Sequence, residues 1–67
     1  MNIDIRSSIK NNFKNNSIEE IRSSINSAIR DNDEITLPGL GVFFEILWQN
    51  SNDVLKENII SNIKKGL

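Results

Sequence analysis

Apolar residues recur at helical intervals through the first half of the chain. In the first segment they are spaced four residues apart: Ile5, Ile9 and Phe13. This spacing places them on one side of a helix, and either Asn2 or Asp4 is a residue type that caps a helix start. The pattern predicts a helix over about residues 3–14.

A second helix is predicted over residues 17–31, where the series of regularly spaced apolar residues is longer. Ser17 and Glu20 have the spacing of a capping box, in which each side chain accepts the other residue's backbone N–H. The apolar residues follow the three-and-four spacing of an amphipathic helix: Ile18, Ile21, Ile25, Ala28 and Ile29. Arg30 suits the end of this helix, because a cation is favourable at the negative end of the helix dipole.

An acidic connector and a proline separate this half from the rest. Residues 31–34 read DNDE and are typical of a solvated turn. Pro38 lacks a backbone donor and is expected to restrict Leu37 to an extended conformation, so a helix is predicted to begin at the proline rather than run through it. Gly39 and Gly41 are expected to permit close approach of another backbone.

The stretch LGVFFEILWQN after the proline is the most apolar part of the chain. As a helix it places five bulky residues on one broad face: Leu40, Phe43, Phe44, Leu47 and Trp48. Val42 and Ile46 then flank that face and Glu45 points away from it. As a strand it puts Glu45 between Phe43 and Leu47, which disfavours this alternative without excluding it. A helix this apolar is expected to be central.

The last segment completes an all-α prediction. Asn52 is suited to cap a helix, and Gly66 follows two lysines in the manner of a helix end. We therefore predict one small domain, residues 1–67, built as a bundle of about four short helices over roughly residues 3–14, 17–31, 38–50 and 52–65, with the apolar helix after Pro38 at its centre.

The residue types argue against catalysis and against a bound cofactor. The 67 residues include no cysteine, histidine or tyrosine, so thiolate and imidazole chemistry is absent and the serines lack their usual activating partner. Glu45 is the one carboxylate within the apolar segment, and its expected place is a solvated helix face. The Gly39–Gly41 pair lacks the remainder of a phosphate loop. We predict no catalytic, cofactor-binding or metal-binding residues and no small-molecule substrate.

Two surfaces are candidates for binding. Arg6, Lys10 and Lys14 recur every four residues and form a basic stripe that suits contacts with nucleic-acid phosphates, although the net charge of the chain is −1. The five residues on the broad face are the predicted core or dimer interface, because one helix so rich in apolar groups is hard to cover with thin neighbours. The sequence contains no run of about 18 apolar residues, the length needed to span a bilayer, so no membrane-spanning helix is predicted.

The motif LPGLGVFFEILW resembles the I-type small acid-soluble spore proteins of endospore-forming Firmicutes. The matching positions are Leu37, Pro38, Gly39, Leu40, Gly41, Val42, Phe44, Glu45 and Trp48, and the final KKGL is similar to the family's C-terminal segment. The resemblance covers essentially the whole chain. It implies a non-enzymatic protein of the cytoplasm of the developing forespore and of the spore core, with a structural or interaction role. It does not imply DNA coating, which belongs to spore proteins of α/β type with a different sequence pattern.

A looser likeness favours the nucleic-acid alternative. Two short helices followed by GLGVFFE resemble the first half of histone-like DNA-bending proteins, in which a GFGTFE stretch is a strand. The basic DNA-gripping arm of that family has no counterpart here. The expected function is therefore that of a self-associating spore-core protein, with a nucleic-acid-binding module as the alternative.

Overall fold

The computed structural model of the protein describes residues 4–67. In this range the chain forms α1 (Ile5–Phe13), α2 (Ile18–Asp31), a 3-10 turn (Glu34–Thr36), α3 (Leu37–Gln49) and α4 (Asp53–Lys65). The all-α prediction is confirmed, and the strand alternative for residues 41–48 is wrong. The predicted helix limits agree to within one or two residues. Residue 3, the predicted start of the first helix, and Asn2, one of its candidate caps, lie outside the described residues.

Side-chain caps fix where the helices begin. The Ser17 hydroxyl accepts the Glu20 N–H at 3.1 Å, and the Glu20 carboxylate accepts the Ser17 N–H at 3.2 Å, so the capping box is present. Asn52 caps α4 by accepting a backbone N–H at 2.9 Å. Asn32 ends α2 with φ 51°, a left-handed conformation that asparagine tolerates better than most residues.

The junction before α3 differs from the prediction. Leu37 is not extended but helical, with φ −59° and ψ −43°. The steric preference of a residue before proline is overcome because the 3-10 turn at Glu34–Thr36 continues directly into α3, and the Leu37 N–H donates to the Glu34 carbonyl. Pro38 lies in the first turn of α3, where its missing N–H would have no helical partner. The acidic connector is therefore partly a 3-10 turn rather than only a solvated loop.

The glycines of α3 do not serve the expected close approach of backbones. A Cβ built on Gly39 would lie 3.6 Å from Ile9 Cδ1, an ordinary side-chain contact, and one built on Gly41 would meet nothing within 4 Å. Both glycines have negative φ. We find no structural reason in this chain for glycine at position 41.

α3 is the central element of the packing. It contacts α1, α2 and the 3-10 turn, and it holds Val42, the only residue in the described range that is buried, with 5% of its surface exposed. Val42 was predicted to flank the apolar face rather than to form its most buried point. α1 and α2 both pack against α3, and Val42 is the residue of α3 with the least exposed surface.

The small core makes Val42 a sensitive position. We expect Val42→Ala to lower the free energy of unfolding by about 2 kcal/mol, because two buried carbons are lost and the cavity closes only in part. Urea unfolding followed by circular dichroism measures this. Val54→Ala is the matched control, since Val54 is 70% exposed on α4, and it should change stability by no more than about 0.5 kcal/mol. Equal losses at the two positions would contradict the assignment of the core.

Candidate interaction surface

An aromatic pair joins α1 to α3. The rings of Phe13 and Phe43 are 5.0 Å apart between centroids and inclined by 79°, an edge-to-face arrangement. This geometry places the positive ring edge against the negative ring face and is favourable beyond the area it buries. It fixes the C-terminal end of α1 near the middle of α3.

A second aromatic pair lies on α3 and meets α4. Phe44 and Trp48 stack with centroids 6.0 Å apart and an angle of 27°. The Lys56 ammonium of α4 lies 5.1 Å from the centre of the Trp48 ring, within the range of a cation–π contact. Ile60 and Ile63 of α4 remain about half exposed beside these rings. The four apolar residues Phe44, Trp48, Ile60 and Ile63 line an open cleft of about 320 Å³, which we call the α3–α4 cleft.

A larger groove lies between α1, α2 and α3. Its volume is about 430 Å³ and its lining is almost wholly apolar. The apolar lining residues are Ile9, Phe13, Ile21, Ile25, Phe43, Ile46 and Leu47. Lys10 and Lys14 complete the lining. We call this the α1–α3 groove.

The five predicted interface residues are divided between these features. Phe43 and Leu47 line the α1–α3 groove, and Phe44 and Trp48 line the α3–α4 cleft. Leu40 lies near the 3-10 turn. Phe44 and Leu47 are exposed, with 42% and 48% of their surface accessible, and the other three are partly buried. The structure thus brings the five residues onto one helix but presents them to different surroundings.

The basic stripe is divided as well. The Arg6 guanidinium makes three hydrogen bonds to the Glu45 carboxylate, at 2.9, 3.2 and 3.1 Å. The hydrogen bonds and the charge of Glu45 raise the pKa of Arg6 above its usual value. Glu45 is therefore not simply solvated, because it links α3 to α1. Lys10 and Lys14, in contrast, are exposed and form no ion pair within residues 4–67.

The carboxylates of Asp31 and Asp33 in the acidic connector make local contacts. Asp31 pairs with Arg30 at 3.4 Å, and the Asp33 carboxylate accepts the Ile35 N–H at 3.0 Å to cap the 3-10 turn. Across the described residues, no three acidic side chains are grouped closely enough to hold a metal ion. In the same range no helix has both the length and the apolar content to cross a bilayer.

Asp4 holds the start of α1. Its carboxylate accepts the Ser7 hydroxyl at 2.8 Å and the Ser7 N–H at 3.2 Å. These two hydrogen bonds to Ser7 favour the ionised carboxylate and hold the pKa of Asp4 below its ordinary value. Of the two candidate caps, the described one therefore performs the predicted role.

Several contacts of this surface were not predictable from spacing. Arg6 and Glu45 are 39 positions apart, so no local pattern pairs them. Lys56 reaches Trp48 only because α4 turns back beside α3 after residues 50–52. The groove residues of α1 and α2 were visible as apolar stripes, but their arrangement around a shared opening depends on how the helices pack.

The described residues thus form a small all-helical protein whose apolar central helix is only partly covered. A family model described as small, acid-soluble spore protein I matches residues 3–67. The chain is 37% identical over its whole length to a small, acid-soluble spore protein I of Halalkalibacterium halodurans, covering 98% of that protein. It is 36% identical over its whole length to the one from Bacillus licheniformis, covering 96% of it. The chain belongs to the small, acid-soluble spore protein I family, which confirms the resemblance seen in its sequence. No solved structure matches it.

The cap at Asp4 predicts a pH dependence for α1. Because the folded-state pKa is lowered, the contribution of Asp4 to stability is present above the unfolded pKa of about 3.9 and is lost as the pH falls through the lower folded value. We expect Ser7→Ala to move the pKa of Asp4 back towards its ordinary value, measured by NMR titration of the carboxyl carbon.

Asp4→Asn is the control for this prediction. The amide oxygen can still cap the helix but does not titrate, so this part of the pH dependence of α1 helicity should disappear. An Asp4 pKa that is the same with and without the Ser7 hydroxyl would contradict the assignment.

Proposed function

We propose that this protein is a non-enzymatic protein of the spore core, with a structural or interaction role, that self-associates through α3. The observation that carries the proposal is the exposure of bulky apolar side chains on the central helix α3. Phe44 and Leu47 are 42% and 48% exposed, and Trp48 is only partly buried. Exposed groups of this kind, with aromatic residues at the centre, are characteristic of protein interfaces.

The thin core supports the same proposal. Small domains bury a limited share of their surface, and here a single residue of the described range, Val42, is buried. Ile60 and Ile63 extend the exposed apolar area from α3 onto α4. A two-fold symmetric contact over the α3–α4 cleft would cover Phe44, Trp48 and these isoleucines in both copies at once.

The family and the residue types support the place and the non-enzymatic role. The matched relatives are spore proteins by name, which is consistent with a site of action in the forespore and the spore core. Glu45, the one carboxylate within the apolar segment, is engaged by Arg6. An ion-paired, accessible carboxylate is a poor candidate for a tuned proton donor.

Self-association is tested at Phe44. At high salt, where contacts between charged groups are screened, we expect the unsubstituted chain to sediment as a dimer and Phe44→Lys to raise its dissociation constant by about tenfold or more, because an interface aromatic is replaced by a charge. Val54→Lys is the matched control: it places the same charge at an exposed apolar position outside the cleft and should leave the dissociation constant unchanged. A chain that unfolds cooperatively yet stays monomeric at hundreds of micromolar would overturn the proposal.

Nucleic-acid binding is the second candidate, and it is favoured by Lys10 of α1 and Lys14, which directly follows α1. Lys10 and Lys14 are exposed and have no acidic partner in the described range. Arg6, the third member of the stripe, is already engaged by Glu45, so the available positive charge is smaller than the sequence indicates.

This second candidate predicts binding to duplex DNA that weakens steeply with salt, because phosphate contacts release counterions. Lys10→Gln with Lys14→Gln should abolish the shift in a gel mobility assay at low salt. The same changes at Lys64 and Lys65 provide the control. No mobility shift for the unsubstituted chain at low salt would remove this candidate.

A further inference from the structure

The bend between α2 and α3 carries exposed apolar side chains among acidic residues. Ile35 is 84% exposed and Leu37 is 59% exposed. Asp33 and Glu34 precede Ile35 directly. The Asp33 carboxylate holds the backbone of Ile35 in place, because it accepts the Ile35 N–H at 3.0 Å. We call these four residues, Asp33, Glu34, Ile35 and Leu37, the acidic corner.

The corner keeps two negative charges that its neighbours do not neutralise. Arg30 is the nearest cation along the chain, and it pairs with Asp31 at 3.4 Å. Neither Asp33 nor Glu34 takes part in an ion pair within residues 4–67. The apolar Ile35 side chain therefore projects from a surface with an excess of negative charge.

The α1–α3 groove has the opposite properties. It is a concave opening of about 430 Å³ with apolar walls, whereas the Ile35 side chain of the corner is 84% exposed. Its only charged lining residues are Lys10 and Lys14, one helical turn apart and without an ion pair in the described range. The groove and the corner share no residue, and Ile35 lines a smaller opening next to the groove together with Ile9 and Phe43.

We propose that the acidic corner of one copy docks into the α1–α3 groove of a second copy. Ile35 enters the apolar groove, while Asp33 and Glu34 meet Lys10 and Lys14 at its rim. The inference rests on the proposed self-association and adds a contact distinct from the symmetric one over the α3–α4 cleft. Complementary charge favours encounter and fixes the orientation of such a contact.

The two sides of this contact differ, and this asymmetry determines the form of the assembly. Each copy has one groove and one corner, so every contact leaves a free groove at one end and a free corner at the other. Head-to-tail contacts of this kind produce closed rings when the rotation closes and open chains when it does not. The assembly should therefore grow with concentration and shrink as salt screens the rim charges.

Complementary variants test the inference. Phe44→Lys is used as the background, so that the symmetric contact is removed. In this background, analytical ultracentrifugation at low salt should show association that increases with concentration. Lys10→Glu with Lys14→Glu disables the groove, and Ile35→Lys disables the corner. Each should raise the dissociation constant by about tenfold or more.

Mixing the two disabled variants provides the decisive measurement. The groove of the Ile35→Lys chain is intact, and so is the corner of the Lys10→Glu, Lys14→Glu chain. One productive contact remains, so an equimolar mixture should form a one-to-one complex that does not grow further. Matched controls are Val54→Lys for the corner, and Lys64→Glu with Lys65→Glu for the groove; both should associate like the background chain.

The outcomes separate this inference from the proposed function. If the Phe44→Lys chain is monomeric while the unsubstituted chain dimerises, the groove–corner contact is overturned and the symmetric dimer stands. Association that both disabling variants leave intact, or a mixture that behaves like its separate components, also overturns the contact. If Phe44→Lys loses helicity, the same variants are compared in the unsubstituted chain, where they should stop growth at the dimer.

Discussion

The rest of the chain covers only part of the apolar central helix, α3. The surfaces available for interaction follow from this incomplete coverage. α3 is apolar around most of its circumference, yet only Val42 is buried within the described residues. A chain of 67 residues has too much surface for its volume to enclose such a helix on every side. The uncovered parts become the α1–α3 groove on one side and the α3–α4 cleft on the other. These two openings are the basis of every interaction proposed for the molecule.

Different contacts position the helices on each side of α3. α1 is tied by the Arg6–Glu45 hydrogen bonds and by the edge-to-face contact of Phe13 with Phe43. α4 is placed by the contact of Lys56 with Trp48. Exposed ion pairs contribute little stability on average, so we attribute to Arg6 and Glu45 mainly the orientation of α1. The apolar contacts supply the larger share of the packing energy.

Local patterns predicted the helices well because the determinants of helix ends are local. Ser17 and Glu20 form the capping box that their spacing indicates, and Asn52 caps α4. The exception is Leu37, where the rule for residues before proline predicts an extended backbone. A preceding 3-10 turn reverses that preference, and its short DNDEIT sequence has no periodicity from which a turn of helix could be inferred.

The interaction surface was less predictable, because it depends on contacts between distant segments. The sequence identified the apolar residues of α3, but not their division between two openings. It identified Arg6, Lys10 and Lys14 as one stripe, whereas the pairing of Arg6 with Glu45 leaves two lysines beside an apolar groove. The exposure of Ile35 was not predictable from its place after an acidic run, since it follows only from the bend between α2 and α3.

The position of Trp48 has a practical consequence. It is the sole tryptophan of the chain, and its ring contacts both Phe44 and the ammonium group of Lys56. Indole emission therefore senses the neighbourhood of α4, while the Phe13–Phe43 contact on the opposite side contributes almost no signal at the same wavelengths. The molecule carries a natural optical reporter for one half of its packing, so detachment of α4 can be followed separately from loss of the α1 contacts.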